Sequence, residues 1–238
     1  MIDVVLAAGY ATRMYPLTEN FPKPLLEIKG KSILDHLLED IDSIEDVSAH
    51  IVVTNHKFAG FFYKWKENNR LKKPVTIIDD GSVDNEHRVG AVKDLILAIG
   101  DDVHNDYLVV AADNLLDFSL KGFAGYFREK GGSVIMCYEE PSLKALQRTG
   151  VICVDEDNLV LEMEEKPQCP KSNLAVPPFY IYDHSDLELI RRSVENGCGF
   201  DAPGNLARYL CERTSVHAYR MPGKRLDIGD LDTYYKIR

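Results

Sequence analysis

The strongest constraint on this fold is its first apolar run, Ile2 to Ala8, which stops at Gly9. The run is too short for a globular helix and suits a buried strand. After the glycine the chain passes through small residues and then sets Arg13 and Lys23 among prolines, reading VVLAAGYATRMYPLTENFPKPLLEI from Val4 to Ile28. A buried strand that enters a glycine turn followed by fixed cations is a common way for α/β proteins to hold a phosphate chain.

The next hundred residues repeat the strand-then-helix theme. Lys31 to Ile44 places Ile33, Leu34, Leu37, Leu38 and Ile41 at helical spacing, with Ser32 suited to the cap. His50 to Thr54, Val75 to Ile78 and Tyr107 to Ala111 read as further buried strands, and Phe58 to Asn68 and Val92 to Ile99 as helices. This alternation predicts an α/β fold with a doubly wound, mostly parallel sheet. Such sheets bind ligands at the carboxyl ends of their strands, where Gly9, Asp79 and Asp113 fall.

From Gly132 the pattern changes. Ser133 to Tyr138, Gly150 to Val154, Val160 to Glu164 and Phe179 to Tyr182 are short strands joined by turns. Leu187 to Val194 and Gly204 to Arg213 read as helices, with Asp201 or Pro203 starting the second. This half should extend the sheet and add a small antiparallel part over one face. No linker, repeat or low-complexity tract divides the chain, so residues 1–238 are expected to form a single unit.

A net charge of −10 argues against a nucleic-acid or anionic-membrane surface. It leaves a nucleotide ligand open, since a phosphate site needs only local cations. No stretch reaches the ~20 apolar residues of a membrane span, and Met1-Ile2-Asp3 offers no basic signal-peptide start. Five cysteines without a CxxC pair fit reduced thiols, and hence a cytoplasmic location is expected.

Taken alone, the candidate site residues have plain readings. Gly9 to Arg13 is neither a P-loop nor a GxGxxG fingerprint, and a strand-to-loop turn with an exposed arginine accounts for it. Asp113 ends the strand YLVVAAD, as a ligand-facing carboxylate or as a cap before Asn114. Glu162 to Lys166 reads as a solvated strand end, and Asp230 as the cap of a last helix, Leu231 to Ile237.

The order of these pieces is more informative. LAAG, then Thr12-Arg13, Pro16-Leu17-Thr18 and Pro22-Lys23-Pro24 resembles the opening signature of the sugar-1-phosphate nucleotidyltransferases, also called nucleotide-sugar pyrophosphorylases. Supporting blocks follow in the family's order at 107–114, 162–167 and 225–230. The resemblance implies a Rossmann-like nucleotidyltransferase fold and a reaction between a nucleoside triphosphate and a sugar 1-phosphate. It implies that Leu6, Ala7, Ala8, Gly9 and Gly90 meet the nucleotide, that Arg13 grips the triphosphate, and that Lys23 bridges the α-phosphate and the incoming phosphate. It assigns Asp113 and Asp227 to Mg²⁺. It assigns Gly150, Glu165, Lys166 and Asn173 to the sugar phosphate.

One departure stands in the loop: Ala11 replaces the second glycine, and a methyl group there disfavours positive φ. Asn85 to Ala91 replaces the family's base-reading stretch and contains no glutamine, which leaves the base open. The chemistry suits two fixed cations and no triad. A phosphomonoester with its second pKa near ~6 is already a nucleophile at pH 7, so the protein must supply position and charge neutralisation. Two rivals remain at this point. One is a cytidylyltransferase for phosphocholine or a phosphonate; the other is a nucleotide-binding regulatory subunit without activity. The missing DxD, with Ala111 two residues before Asp113, argues against a glycosyltransferase.

Overall fold

The computed structural model describes all 238 residues. The first half runs β1 (Ile2–Leu6), β2 (Glu27–Ile28), β3 (Lys31–Ser32), α1 (Ile33–Asp42), β4 (Ala49–Thr54), α2 (Ala59–Asn68), β5 (Val75–Asp79), α3 (Ala91–Ile99) and β6 (Tyr107–Ala111). Then come β7 (Asn114–Leu116), α4 (Lys121–Lys130), β8 (Val134–Glu139), α5 (Leu143–Leu146), β9 (Gly150–Val154) and β10 (Val160–Glu165). The chain closes with β11 (Leu174–Val176), β12 (Phe179–Tyr182), α6 (Leu187–Arg191), α7 (Pro203–Cys211), β13 (His217–Arg220), β14 (Arg225–Asp227) and α8 (Leu231–Ile237).

Strands β5, β4, β1 and β6 lie side by side and parallel. Strand β12 adds to β6 antiparallel, β8 adds to β12, and β13 pairs parallel with β8. The expected mostly parallel sheet is therefore present. Its neighbours in β1 show the double winding directly: Val4 packs into one apolar cluster with Leu95, Leu187 and Leu206, and Val5 into another with Leu34, Phe62 and Phe123. Helices α3, α6 and α7 thus cover one face, and α1, α2 and α4 the other.

Strands β11 and β12 pair in turn along β8, Leu174 opposite Glu139 and Tyr180 opposite Ile135. Pro177 and Pro178 separate them and can donate nothing to the ladder. The interruption turns β11 away to pair with β9, and β9 with β10, which forms the antiparallel part over the sheet.

A small third cluster decides where the ends of the chain meet. Met14, Leu26, Ile28 and Ile33 of the opening segment pack with Ile228 and Tyr234 from the last forty residues of sequence. Tyr234 on α8 donates its hydroxyl to the Glu27 carbonyl at 3.1 Å. Burying Ile228 beneath the opening loop fixes β14 beside β7, with Asp227 opposite Asn114.

The caps expected from sequence are present. Ser32 and Asp35 form a reciprocal capping box on α1, and Asp230 accepts from the Thr233 N–H at the start of α8. The predicted helix to Val194 ends earlier, at Arg191. Helix α4 was not signalled by the sequence pattern, because Gly122 and Gly125 interrupt it.

Candidate active site

The loop after β1 keeps its backbone donors free. The Leu6 carbonyl accepts from Ala112, and Ala8's accepts from the Asn55 side chain at 2.9 Å. None of the N–H groups from Ala8 through Arg13 donates to another protein group. A run of unspent N–H groups around a tight turn has donors to offer an anion. Ala11 sits in its middle at φ 46°, ψ 42°. The methyl group has not excluded the left-handed conformation; the loop adopts it with alanine and carries the strain. Thr18 donates to the Ala11 carbonyl at 2.8 Å and helps hold the turn.

Lys23 stands between Pro22 and Pro24, whose rings limit its backbone freedom, and its side chain is 9% exposed. Its ammonium donates to Asp113 Oδ2 at 2.8 Å, across ninety residues of sequence. Asp113 follows β6, and its carbonyl accepts from the Ile228 N–H at 3.0 Å, so Asp227 is its close neighbour. Burial pushes the Asp227 carboxyl above its ordinary range, and the charge of Asp113 adds to this, with Arg225, Lys23 and Arg13 opposing. Two carboxylates held together against their own repulsion offer only oxygen ligands. They fit Mg²⁺, which takes few protein ligands and keeps its waters. A separate trio, Asp106, Asp183 and His184, lies at the opposite end of β6, where His184 Nδ1 and Asp106 already bond each other at 2.9 Å.

On the far wall, Glu165 ends β10 with its carboxylate between two glycines. A Cβ on Gly204 would stand 2.1 Å from Glu165 Oε2, and one on Gly150 3.2 Å from the same atom. Burial raises the Glu165 carboxyl, with Lys166 and then Arg208 opposing. Lys166 adopts φ 52°, another left-handed position without glycine, and its N–H donates to the Thr149 carbonyl at 3.1 Å. Its ammonium is 3.8 Å from Glu165.

A single cavity of about 700 Å³ joins these groups, lined by Arg13, Asp113, Gly150, Glu165, Lys166 and Asp227 among others. Lys23 reaches it through Asp113. Besides Lys23, the backbone residues Leu6, Ala7, Ala8 and Gly9 lie outside the lining, and so do Gly90 and Asn173. Gly90 caps α3 at φ 99°, and its lost Cβ is explained by packing, because that atom would meet the Phe200 carbonyl at 2.7 Å. Asn173 is exposed and its carbonyl accepts from Glu140. Three residues of extended strand, roughly 10 Å, separate it from Val176, which does line the cavity.

Among the lining residues that the sequence reading did not assign to the site are Tyr138, Lys144, Arg148 and Arg225. Arg225 had a usable signal, since it stands two residues before Asp227 on β14 and so shares its face. Its guanidinium donates to Asn114 Oδ1 at 2.6 Å and stacks 5.5 Å from the Tyr138 ring centroid.

Residues 2–238 match the family model described as Nucleotidyl transferase. This chain belongs to that family. It is 27% identical over 230 residues to the bifunctional protein GlmU of Methanocaldococcus jannaschii, covering 96% of this chain and 51% of that protein. It is 29% identical to a glucose-1-phosphate adenylyltransferase of Fervidobacterium nodosum, covering 99% and 60%. With a UTP–glucose-1-phosphate uridylyltransferase, AglF, of Haloferax volcanii it shares 27% identity, covering 96% and 91%. The chain thus spans little more than half the length of the first two relatives and nearly all of the third. A solved UDP-glucose pyrophosphorylase complexed with UDP-glucose has the same fold, with a TM-score of 0.82 and 22% identity over 100% of this chain and 99% of that one. No helix of this nucleotidyl transferase family member is long and apolar enough to cross a membrane, and all five cysteines are free.

Proposed function

We propose that residues 1–238 form one catalytic unit that joins a nucleoside triphosphate to a sugar 1-phosphate, giving a nucleoside diphosphate sugar and pyrophosphate. An oxygen of the sugar phosphate attacks the α-phosphorus in line. The new P–O bond forms as the α–β anhydride bond breaks, and the bonding pair leaves with pyrophosphate. The observation that carries this reading is the shared cavity, which connects the opening loop to Glu165 and Lys166.

In this reading the free N–H groups from Ala8 to Arg13 and the Arg13 guanidinium receive the triphosphate. Lys23, already desolvated, meets negative charge on the α-phosphate as the nucleophile approaches. Asp113 and Asp227 would hold Mg²⁺, which supplies charge neutralisation between the phosphates when bound. Glu165 accepts hydrogen bonds from sugar hydroxyls, and Lys166 faces the sugar's phosphate. Gly150 leaves room for the ring.

The charge of the cleft opposes the phosphocholine and aminophosphonate alternatives. Lys144, Arg148 and Lys166 line the acceptor end, where a cationic amine would be repelled. The inactive regulatory alternative leaves the Lys23–Asp113 pair beside Asp227 without a purpose.

The test is pyrophosphate release across CTP, UTP, dTTP, GTP and ATP, each with several sugar 1-phosphates, phosphocholine and 2-aminoethylphosphonate. Magnesium-dependent release with at least one triphosphate and sugar 1-phosphate is expected. Release only with the amines, or tight nucleotide binding without turnover, would overturn the reading.

A further inference from the structure

The cleft holds more positive charge than one reacting phosphate requires. Most of its cations are already engaged: Lys23 by Asp113 at 2.8 Å, Lys166 with Glu165 at 3.8 Å, and Arg225 with Asp227 at 3.8 Å. Arg13 belongs to the triphosphate loop. Lys144 and Arg148 remain, both lining the cavity, and neither has a carboxylate within 4.0 Å.

Lys144 lies on α5 and Arg148 in the turn just beyond its end, where the Arg148 N–H donates to the Ala145 carbonyl at 2.9 Å. Both side chains are exposed and both line the cavity. Their platform is fixed. Ser142 caps it through the Ala145 N–H, and Leu146 is buried with Val151 and Ala175. Gln147 Nε2 donates to the Gln168 carbonyl at 2.8 Å, which ties the platform to the loop that carries Lys166. The two cations thus stand on a fixed platform at the cavity wall, beside Thr149 and Gly150.

From this arrangement we infer that the acceptor carries a second anionic group, a carboxylate or phosphate away from the reacting phosphate, and that Lys144 and Arg148 bind it. The inference rests on the nucleotidyl-transfer reading and adds its substrate class. An anion that meets both side chains makes a charge-assisted contact with each.

The experiment compares glucose 1-phosphate, glucuronate 1-phosphate and glucose 1,6-bisphosphate as acceptors, with the triphosphate that gives the fastest release. Wild type should favour one of the charged acceptors over glucose 1-phosphate by at least ~10-fold in kcat/KM, through KM. The uronate and bisphosphate arms separate a carboxylate ligand from a phosphate. In the double variant Lys144→Ala, Arg148→Ala that ratio should fall toward 1, whereas Lys144→Arg, Arg148→Lys should keep it. A wild-type preference for glucose 1-phosphate, or a double variant that slows all three acceptors alike, overturns the inference and leaves the nucleotidyl-transfer reading standing. Absence of turnover with every acceptor and triphosphate overturns both.

Discussion

At the scale of single residues, the site consists of side chains and amides held in costly states. A buried Lys23 pairs with a partly exposed Asp113, with Asp227 raised beside them. In the proposed reaction both act on charge that develops in the transition state, so removing either member of the pair should lower turnover by at least ~100-fold. Steady-state rates of Lys23→Ala and Asp113→Ala check this, and a near-normal rate in either removes that residue from the mechanism. Ala11 carries a different cost. A left-handed alanine is strained by about 1–2 kcal/mol, and glycine returns part of that gain as lost chain entropy. Ala11→Gly should therefore stabilise the protein by about 0.5–1 kcal/mol in urea unfolding; a loss of stability would show that the methyl group packs usefully. Gly204 guards Glu165. A methyl group there meets the carboxylate at 2.1 Å, so Gly204→Ala should raise the acceptor KM by about tenfold or more and leave the triphosphate KM nearly unchanged.

At the scale of elements, strands and helices whose positions depend on local pattern were legible, and those that depend on distant partners were not. Strand β1 and the capped helix α1 announce themselves through an apolar run and the Ser32–Asp35 spacing. Helix α4 does not, because its stability comes from Phe123 and Phe127 packing against the sheet, which offsets two poor helix formers. The break between β11 and β12 is written in Pro177-Pro178, yet which strand each half joins depends on β8 and β9. Among site residues, Arg13, Lys23, Asp113 and Glu165 came from an ordered motif. Lys144 and Arg148 belong to no motif and gain meaning only from the cavity they line.

One contact between elements makes its own prediction. Asp94 on α3 faces Asp80 after β5; Asp94 Oδ1 and Asp80 Oδ2 are buried without a protein donor. Burial, and then the charge of Asp80, push the Asp94 carboxyl up from 3.8 to about 7. The folded chain therefore keeps a proton that the unfolded chain releases near 3.8. Stability from this group is present at low pH, falls as pH rises from about 4, and is fully lost above about 7. Asp94→Asn keeps a donor for Asp80 at every pH. It should flatten the decline, stabilising the protein at pH 8 relative to pH 5 by on the order of 2 kcal/mol. Urea unfolding at the two pH values measures it, and equal pH dependence in variant and wild type would contradict the assignment.

At the scale of the whole molecule, two halves with different architectures meet over one cavity. The parallel half brings a loop of free amides, Lys23 and Asp113 to the carboxyl ends of its strands. The antiparallel half brings Glu165 and Lys166 over them. The last strand and helix, anchored by Ile228 and Tyr234 beneath the opening loop, close the arrangement by setting Asp227 beside Asp113. A protein of net charge −10 thus concentrates Arg13, Lys144, Arg148, Lys166 and Arg225 around a single cleft. Such local focusing suits two anionic substrates, and substrate capture should weaken as ionic strength rises.

The central claim is that these halves act on two substrates at once, and the stoichiometry of the reaction tests it most directly. Phosphorus NMR of the protein with magnesium, a productive triphosphate and a sugar 1-phosphate should show both consumed one for one. A nucleoside diphosphate sugar and pyrophosphate should form in equal amounts, with no triphosphate consumed when the acceptor is omitted. Triphosphate cleaved at the same rate without acceptor, or bound and left intact with every acceptor, would contradict the account.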